Sequence, residues 1–123
     1  MKKRIVVIGA TGNTGAYLTE DLVNHLPVDE YEVFAAGHRE TNFFDRYNIS
    51  YSSIDMSDAS TLEQLPQEGV HAVILLAGLL PAYMSGYNPS NYIDVNSRGA
   101  LNVLEYCRKT GADRILYAQT ISD

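Results

Sequence analysis

Short runs rich in valine and isoleucine alternate along the 123-residue chain with segments of helical periodicity. Continuous apolar runs of this kind are typical of strands that are buried on both faces of a sheet. Strands that alternate with helices pair in parallel, because a helix returns the chain to the same end of the sheet. The sequence therefore predicts one α/β domain with a doubly wound parallel sheet of about five strands and helices on both faces.

The expected strands and helices follow from these runs and from the prolines and glycines between them. We expect strands at 4–8, 31–36, 50–54, 72–76 and 114–118. Helices are expected at 13–25, 59–65 and 91–110, with one helical turn within 38–48. Ser57 and Asp58 are candidate N-caps of the second helix, and Gly111 ends the third.

Three glycines at a spacing of three, Gly9, Gly12 and Gly15, separate the first predicted strand from the first predicted helix. In such a turn the first glycine permits a tight bend, the second leaves room for a pyrophosphate, and the third allows close packing of helix on strand. The N–H groups at the helix start favour phosphate. A glycine-rich turn without a ligand is the alternative, but this position in an alternating chain favours dinucleotide binding. The predicted cofactor contacts of the turn are Gly9, Thr11, Gly12, Asn13, Thr14 and Gly15.

The spacing Gly-x-x-Gly-x-x-Gly resembles that of the extended short-chain dehydrogenase/reductase family, which includes NAD(P)-dependent epimerases and dehydratases of nucleotide sugars. Four later segments resemble the family in the same order, at 54–56, 76–78, 94–105 and 114–120. The resemblance covers essentially the whole chain. It implies an NAD(P)-binding, Rossmann-type domain over residues 1–123 with the strand order 3-2-1-4-5.

The resemblance also implies further site residues. The implied cofactor contacts are Asp55 and Met56 at the adenine ring, with Leu76, Ala77, Gly78 and Asn96 beside the cofactor. Thr120 is implied as the catalytic hydroxyl. Each role has a structural alternative: Asp55 can turn the chain, Asn96 can bind neighbouring backbone in the core, and Thr120 can be an ordinary hydroxyl at a strand end.

The residues after the second predicted strand bear on the choice between NAD and NADP. NAD-preferring domains place an acidic residue at the end of this strand, whereas NADP sites use a small residue and a nearby cation. Gly37 occupies this position, and Arg39 follows with a planar guanidinium suited to phosphate. The alternative is that Arg39 is a solvated charge and that Glu40 supplies the acid. We therefore predict NADP as the favoured cofactor and NAD as the alternative.

Composition argues against several other partners. The net charge is −6 and the basic residues cluster only at 2–4, which argues against nucleic acid. The longest apolar run, 72–82, is shorter than the roughly 20 residues of a membrane helix. The single cysteine, Cys107, cannot form an internal disulfide, and the three histidines lack metal-ligand spacing. We expect a cytoplasmic protein with no nucleic-acid, membrane or metal partner.

The family resemblance also implies what lies outside this sequence. In the family a Tyr-x-x-x-Lys pair beyond the position of Thr120 supplies the general acid/base, and no such pair follows before Asp123. We expect the N-terminal part of a longer enzyme, inactive alone, whose catalytic and substrate-binding part is absent. That enzyme would act on a nucleotide sugar or a similar hydroxyl or carbonyl substrate. The alternative is a natural short protein, a non-catalytic NAD(P)-binding sensor, with its apolar surface hidden in a homodimer.

Overall fold

The computed structural model describes residues 2–47, 49–76 and 97–117, apart from the side chain of Asn13. Its strands are β1 (Lys3–Ile8), β2 (Tyr31–Gly37), β3 (Ser50–Ser53), β4 (Val70–Leu75) and β5 (Arg114–Tyr117). Its α-helices are α1 (Asn13–His25) and α2 (Gly99–Thr110), and two 3₁₀ helices span Phe43–Tyr47 and Ala59–Gln64. All neighbouring strands pair in parallel in the order β3-β2-β1-β4-β5, which confirms the predicted fold.

The apolar side chains of the central strand β1 alternate between the two faces of the sheet. Val6 and Ile8 pack with Val103 and Tyr106 of α2 on one face. Val7 packs on the other face, in the cluster that includes the partly buried apolar side chains of α1. Val6 and Val7 are both fully buried, and each such side chain contributes about 1.5–3 kcal/mol to stability. Helices on both faces therefore hold the carboxyl ends of the strands at one edge of the sheet.

Several predicted elements differ from the structure. The fourth strand spans Val70–Leu75 rather than 72–76, and its early start was missed because the polar His71, at a β-bulge, precedes the apolar run on which the prediction depended. The third strand ends at Ser53 rather than at residue 54. The predicted helix at 59–65 is a 3₁₀ helix, Ala59–Gln64, since so short a segment forms i to i+3 hydrogen bonds.

The remaining boundaries agree with the prediction, differ from it by one residue, or lie partly outside the described residues. α1 has the predicted bounds, and the predicted turn within 38–48 is the first 3₁₀ helix. β1 begins one residue early, and β2 continues one residue further. Gly111, with a φ of 71°, ends α2 as predicted. Residues 91–96 of the third predicted helix and residue 118 of the fifth predicted strand are outside the description.

Two further observations concern the described ranges as a whole. None of their helices has the length and apolarity that a bilayer crossing requires. In the same ranges, no three His, Cys, Asp or Glu side chains are grouped so that they could hold a metal ion.

Candidate functional site

The glycine turn that joins β1 to α1 folds back onto the end of β2. The N–H groups of Gly9 and Ala10 both donate to the Ala36 carbonyl, at 2.8 and 3.0 Å. Gly9 has a φ of 95°, a backbone conformation that residues other than glycine rarely adopt. The first glycine is therefore required by the backbone itself.

Gly15 is required for a different reason, the close approach of α1 to the turn. A Cβ atom at this position would lie 2.1 Å from the Gly9 carbonyl oxygen and 2.7 Å from the Ala10 Cα. Both neighbours are backbone atoms, so only a shift of the helix would relieve the overlap. The Thr19 side chain, fully buried, donates from its hydroxyl to the Gly15 carbonyl at 2.7 Å within the same helix.

Gly12 differs from the other two glycines, because no described atom of the protein requires a glycine there. It is exposed, its φ of −76° is open to any residue, and an added Cβ would be 3.7 Å from the nearest atom, the Gly9 oxygen. The bare backbone at Gly12 therefore leaves open space above the start of α1.

The first turn of α1 presents N–H groups toward that space. Within the ranges that the structure describes, the N–H groups of Asn13, Thr14 and Gly15 have no acceptor, and no side chain caps the helix. The turn also contains no acidic residue. Free N–H groups and the positive end of the helix dipole together favour an anion at this position.

Arg39 lies against the same turn. Its Nη2 donates to the Thr11 carbonyl at 3.0 Å, and the side chain is otherwise exposed. A Cβ at the nearby position Gly37 would lie 2.8 Å from the Thr11 Cγ2 and 2.8 Å from the Tyr51 hydroxyl. The turn thus has a cation beside it. Gly37 stands where NAD-preferring domains have an acidic residue, and the Thr11 and Tyr51 side chains border the space that such a residue would need.

Asp55 and Met56 follow β3 but point to different surroundings. Asp55 is exposed, and its Oδ1 accepts hydrogen bonds from the Ser57 hydroxyl at 2.7 Å and from the Ser57 N–H at 3.0 Å. These bonds hold the pKa of Asp55 below its usual value. Asp55 therefore turns the chain while its carboxylate stays open to solvent. Met56 is buried in the core, where its Cε would be 2.8 Å from a Cβ at Gly99.

The other predicted site residues lie partly outside the described ranges. The Leu76 N–H donates to the Ile8 carbonyl at 2.8 Å, which brings the end of β4 beside the glycine turn. Asn13 begins α1, and its side chain is outside the description. Ala77, Gly78, Asn96 and Thr120 also fall outside the described residues, so their roles stay predictions.

The sequence did not indicate several residues that shape this edge of the sheet. Tyr51 and Ser53 of β3 donate to the carbonyls of Arg39 and His38, a pairing between strands that no local pattern reveals. Asn102 donates from Nδ2 to the Met56 carbonyl at 2.7 Å. The sequence offered a signal for Gly99 alone among them, because a glycine inside a predicted helix often marks a close approach of the helix to a neighbouring segment.

Comparisons with known proteins agree with the fold. The profile of the NAD dependent epimerase/dehydratase family matches residues 5–122. UDP-glucuronic acid decarboxylase 1 of Danio rerio is 31% identical over 97% of this chain and 28% of its own length. The chain spans between 27% and 41% of the length of six curated relatives that it matches.

Two solved structures are also similar. The UDP-glucose 4-epimerase of Thermus thermophilus, solved in complex with NAD, is 25% identical, with a TM-score of 0.75 over 95% of this chain and 37% of that one. The UDP-glucose 4-epimerase of Bifidobacterium longum, in complex with NAD⁺ and UDP, has a TM-score of 0.79 over 97% of this chain and 37% of that one. It is 19% identical and so supports the fold alone.

Proposed function

Because this chain belongs to the NAD-dependent epimerase/dehydratase family, we propose that it is the dinucleotide-binding part of an NAD(P)-dependent oxidoreductase. The substrate class we propose is a nucleotide sugar or a similar hydroxyl or carbonyl compound. The decarboxylase of Danio rerio and the epimerase of Thermus thermophilus, both named for UDP-sugars, support this class.

The observation that carries the proposal is the unequal requirement for the three glycines. Gly9 is required by its φ, and Gly15 by its contact with backbone, whereas Gly12 is required by no described atom of the protein. Gly12 therefore has no side chain beside the free N–H groups at the start of α1. This is the arrangement that a bound pyrophosphate needs.

The residues present fit a dinucleotide in two respects. The open space at Gly12 admits the pyrophosphate against bare backbone, and the N–H groups of Thr14 and Gly15 can donate to it. The exposed Asp55 carboxylate, ionised at neutral pH, can accept a hydrogen bond from the adenine amino group. When bound, the cofactor supplies hydride transfer, while these residues bind and orient it.

We also propose that NADP is preferred over NAD. The Arg39 guanidinium is held beside the glycine turn, and a planar fork of this kind binds phosphate by two parallel hydrogen bonds. Thr11 and Tyr51 occupy the space of a side chain at Gly37, so an acid there would displace them. Both features favour a 2′-phosphate over free ribose hydroxyls.

The remaining assignments are proposals that rest on the family. Thr120 would position the substrate hydroxyl, and Ala77, Gly78 and Asn96 would border the cofactor. Leu76 has structural support, because its N–H fixes the end of β4 beside the turn.

Calorimetric titration with NADP and with NAD tests the proposal. Gly12→Val should abolish binding of both nucleotides, since the valine occupies the pyrophosphate space. Arg39→Ala should weaken NADP binding by about 1.5–3 kcal/mol, the usual contribution of a charged hydrogen bond, and affect NAD less. Arg114→Ala, at the start of β5 on the opposite edge of the sheet, is the matched control and should change neither affinity. Unchanged binding in Gly12→Val would exclude the glycine turn as the site.

A further inference from the structure

The backbone just beyond β2 is fixed by hydrogen bonds from β3 and the residue after it. Three successive carbonyl oxygens, those of residues 37–39, each accept one such bond. The Ile54 N–H donates to the first of them at 2.8 Å, and the Ser53 hydroxyl donates to the second at 3.1 Å. The Tyr51 hydroxyl donates to the third. The last of these bonds holds the main chain of Arg39.

Tyr51 is itself held in one position. It pairs with Ala35 of β2, and its ring stacks on Phe44 with the centroids 5.3 Å apart and the planes at 11°. Phe44 is only 1% exposed, so the Tyr51 ring packs against a side chain of the hydrophobic core. Burial, and secondly the carboxylate of Glu40, raise the pKa of Tyr51. The hydroxyl therefore keeps its proton at neutral pH and remains a donor.

Arg39 is thus fixed at both ends. Its carbonyl accepts from Tyr51, and its Nη2 donates to the Thr11 carbonyl at 3.0 Å. An arginine whose main chain and side chain are both held loses little conformational freedom when it binds a phosphate. The affinity gained from its hydrogen bonds is then correspondingly larger.

The same hydroxyl also borders the position of the usual acidic residue. It lies 2.8 Å from a Cβ built at Gly37, closer than real Cβ contacts allow. A carboxylate-bearing side chain at this position would force the Tyr51 hydroxyl and the Thr11 side chain to move aside. The Tyr51 hydroxyl therefore both holds the main chain of Arg39 and borders the space that an acidic residue at position 37 would need.

We propose that Tyr51 is a positioning residue for cofactor choice, whose hydroxyl aligns Arg39 with the 2′-phosphate of NADP and occupies the space of an acid that would bind NAD. This inference rests on the proposed function. It extends that function to a residue on β3, outside the glycine turn and the end of β2.

The variant Tyr51→Phe removes the hydroxyl but keeps the ring that stacks on Phe44. In calorimetric titrations of the 123-residue chain, NADP should bind about three- to tenfold more weakly, the effect of one lost hydrogen bond. NAD affinity should stay within about twofold, because NAD lacks the phosphate that Arg39 binds. The control is Tyr47→Phe, which removes a hydroxyl that has no hydrogen bond in the described ranges. It should change neither affinity.

Each other outcome overturns the proposal in a distinguishable way. Equal weakening of both nucleotides would show that Tyr51 only maintains the fold, and a thermal unfolding curve of the variant would register that loss. An unchanged NADP affinity, or a wild-type chain that prefers NAD, would refute the role of Tyr51 and leave dinucleotide binding intact. A wild-type chain that binds neither nucleotide would refute this inference and the proposed function together.

Discussion

Alanine substitutions at Gly12 and Gly15 should have opposite effects on folding and on binding. Gly15→Ala places a Cβ 2.1 Å from the Gly9 oxygen and 2.7 Å from the Ala10 Cα. Gly12→Ala places a Cβ 3.7 Å from the Gly9 oxygen, an ordinary van der Waals contact. Gly15→Ala should therefore destabilise the protein, and Gly12→Ala should weaken nucleotide binding.

The expected magnitudes follow from these distances. An overlap with backbone cannot be relieved by a rotamer change, so we expect the upper part of the overpacking range, about 3 kcal/mol, for Gly15→Ala. The higher helix propensity of alanine returns about 1 kcal/mol, which leaves a net loss of about 2 kcal/mol. For a chain of this size that loss lowers the Tm by about 8 °C. Gly12→Ala, at an exposed N-cap, should cost less than about 1 kcal/mol.

Thermal unfolding followed by circular dichroism, with and without NADP, separates the two effects. Gly12→Ala should unfold near the wild-type temperature and lose most of the stabilisation that NADP provides. Gly15→Ala should unfold well below it even without ligand. Equal unfolding temperatures for the wild-type chain and Gly15→Ala would refute the close packing of α1 against the turn.

Two further predictions concern the contacts of α2. Asn102→Leu leaves the Met56 carbonyl without its hydrogen bond, so urea titrations should show a free energy of unfolding that is lower by about 1–3 kcal/mol. An unchanged free energy would mean that water replaces the amide. The Tyr106 hydroxyl donates to the Pro66 carbonyl, and burial raises the pKa of Tyr106. The unfolded chain loses this proton near pH 10, before the folded chain does, so stability should fall as the pH rises above about 10. Tyr106→Phe should remove that part of the alkaline loss, and an identical pH dependence in the variant would contradict the assignment.

The sequence was sufficient for features that local patterns encode. The alternation of apolar runs and helices predicted the parallel sheet, the family resemblance implied the order of its five strands, and the spacing of Gly9, Gly12 and Gly15 predicted the turn between β1 and α1. The early start of β4 was missed, because the bulge at His71 depends on pairing with β1. The local pattern also could not distinguish a 3₁₀ helix from an α-helix over six residues.

Contacts between distant segments account for the rest. Tyr51 shapes the surroundings of Arg39 only because β3 lies beside β2. Met56, predicted at the adenine ring, has its side chain in the core, because Gly99 allows α2 to approach it. The two roles weighed for Asp55 are compatible in the structure, since one carboxylate oxygen closes the turn and the side chain remains exposed.

The most direct test of the central claim is a titration of the isotope-labelled chain with NADP, followed by the NMR signals of the backbone N–H groups. Binding of the pyrophosphate at the start of α1 predicts saturable shifts of the Thr14 and Gly15 signals, with the largest changes in this turn. Shifts confined to a different surface, such as the groove lined by Leu26, Val33 and Ile49, would contradict the claim.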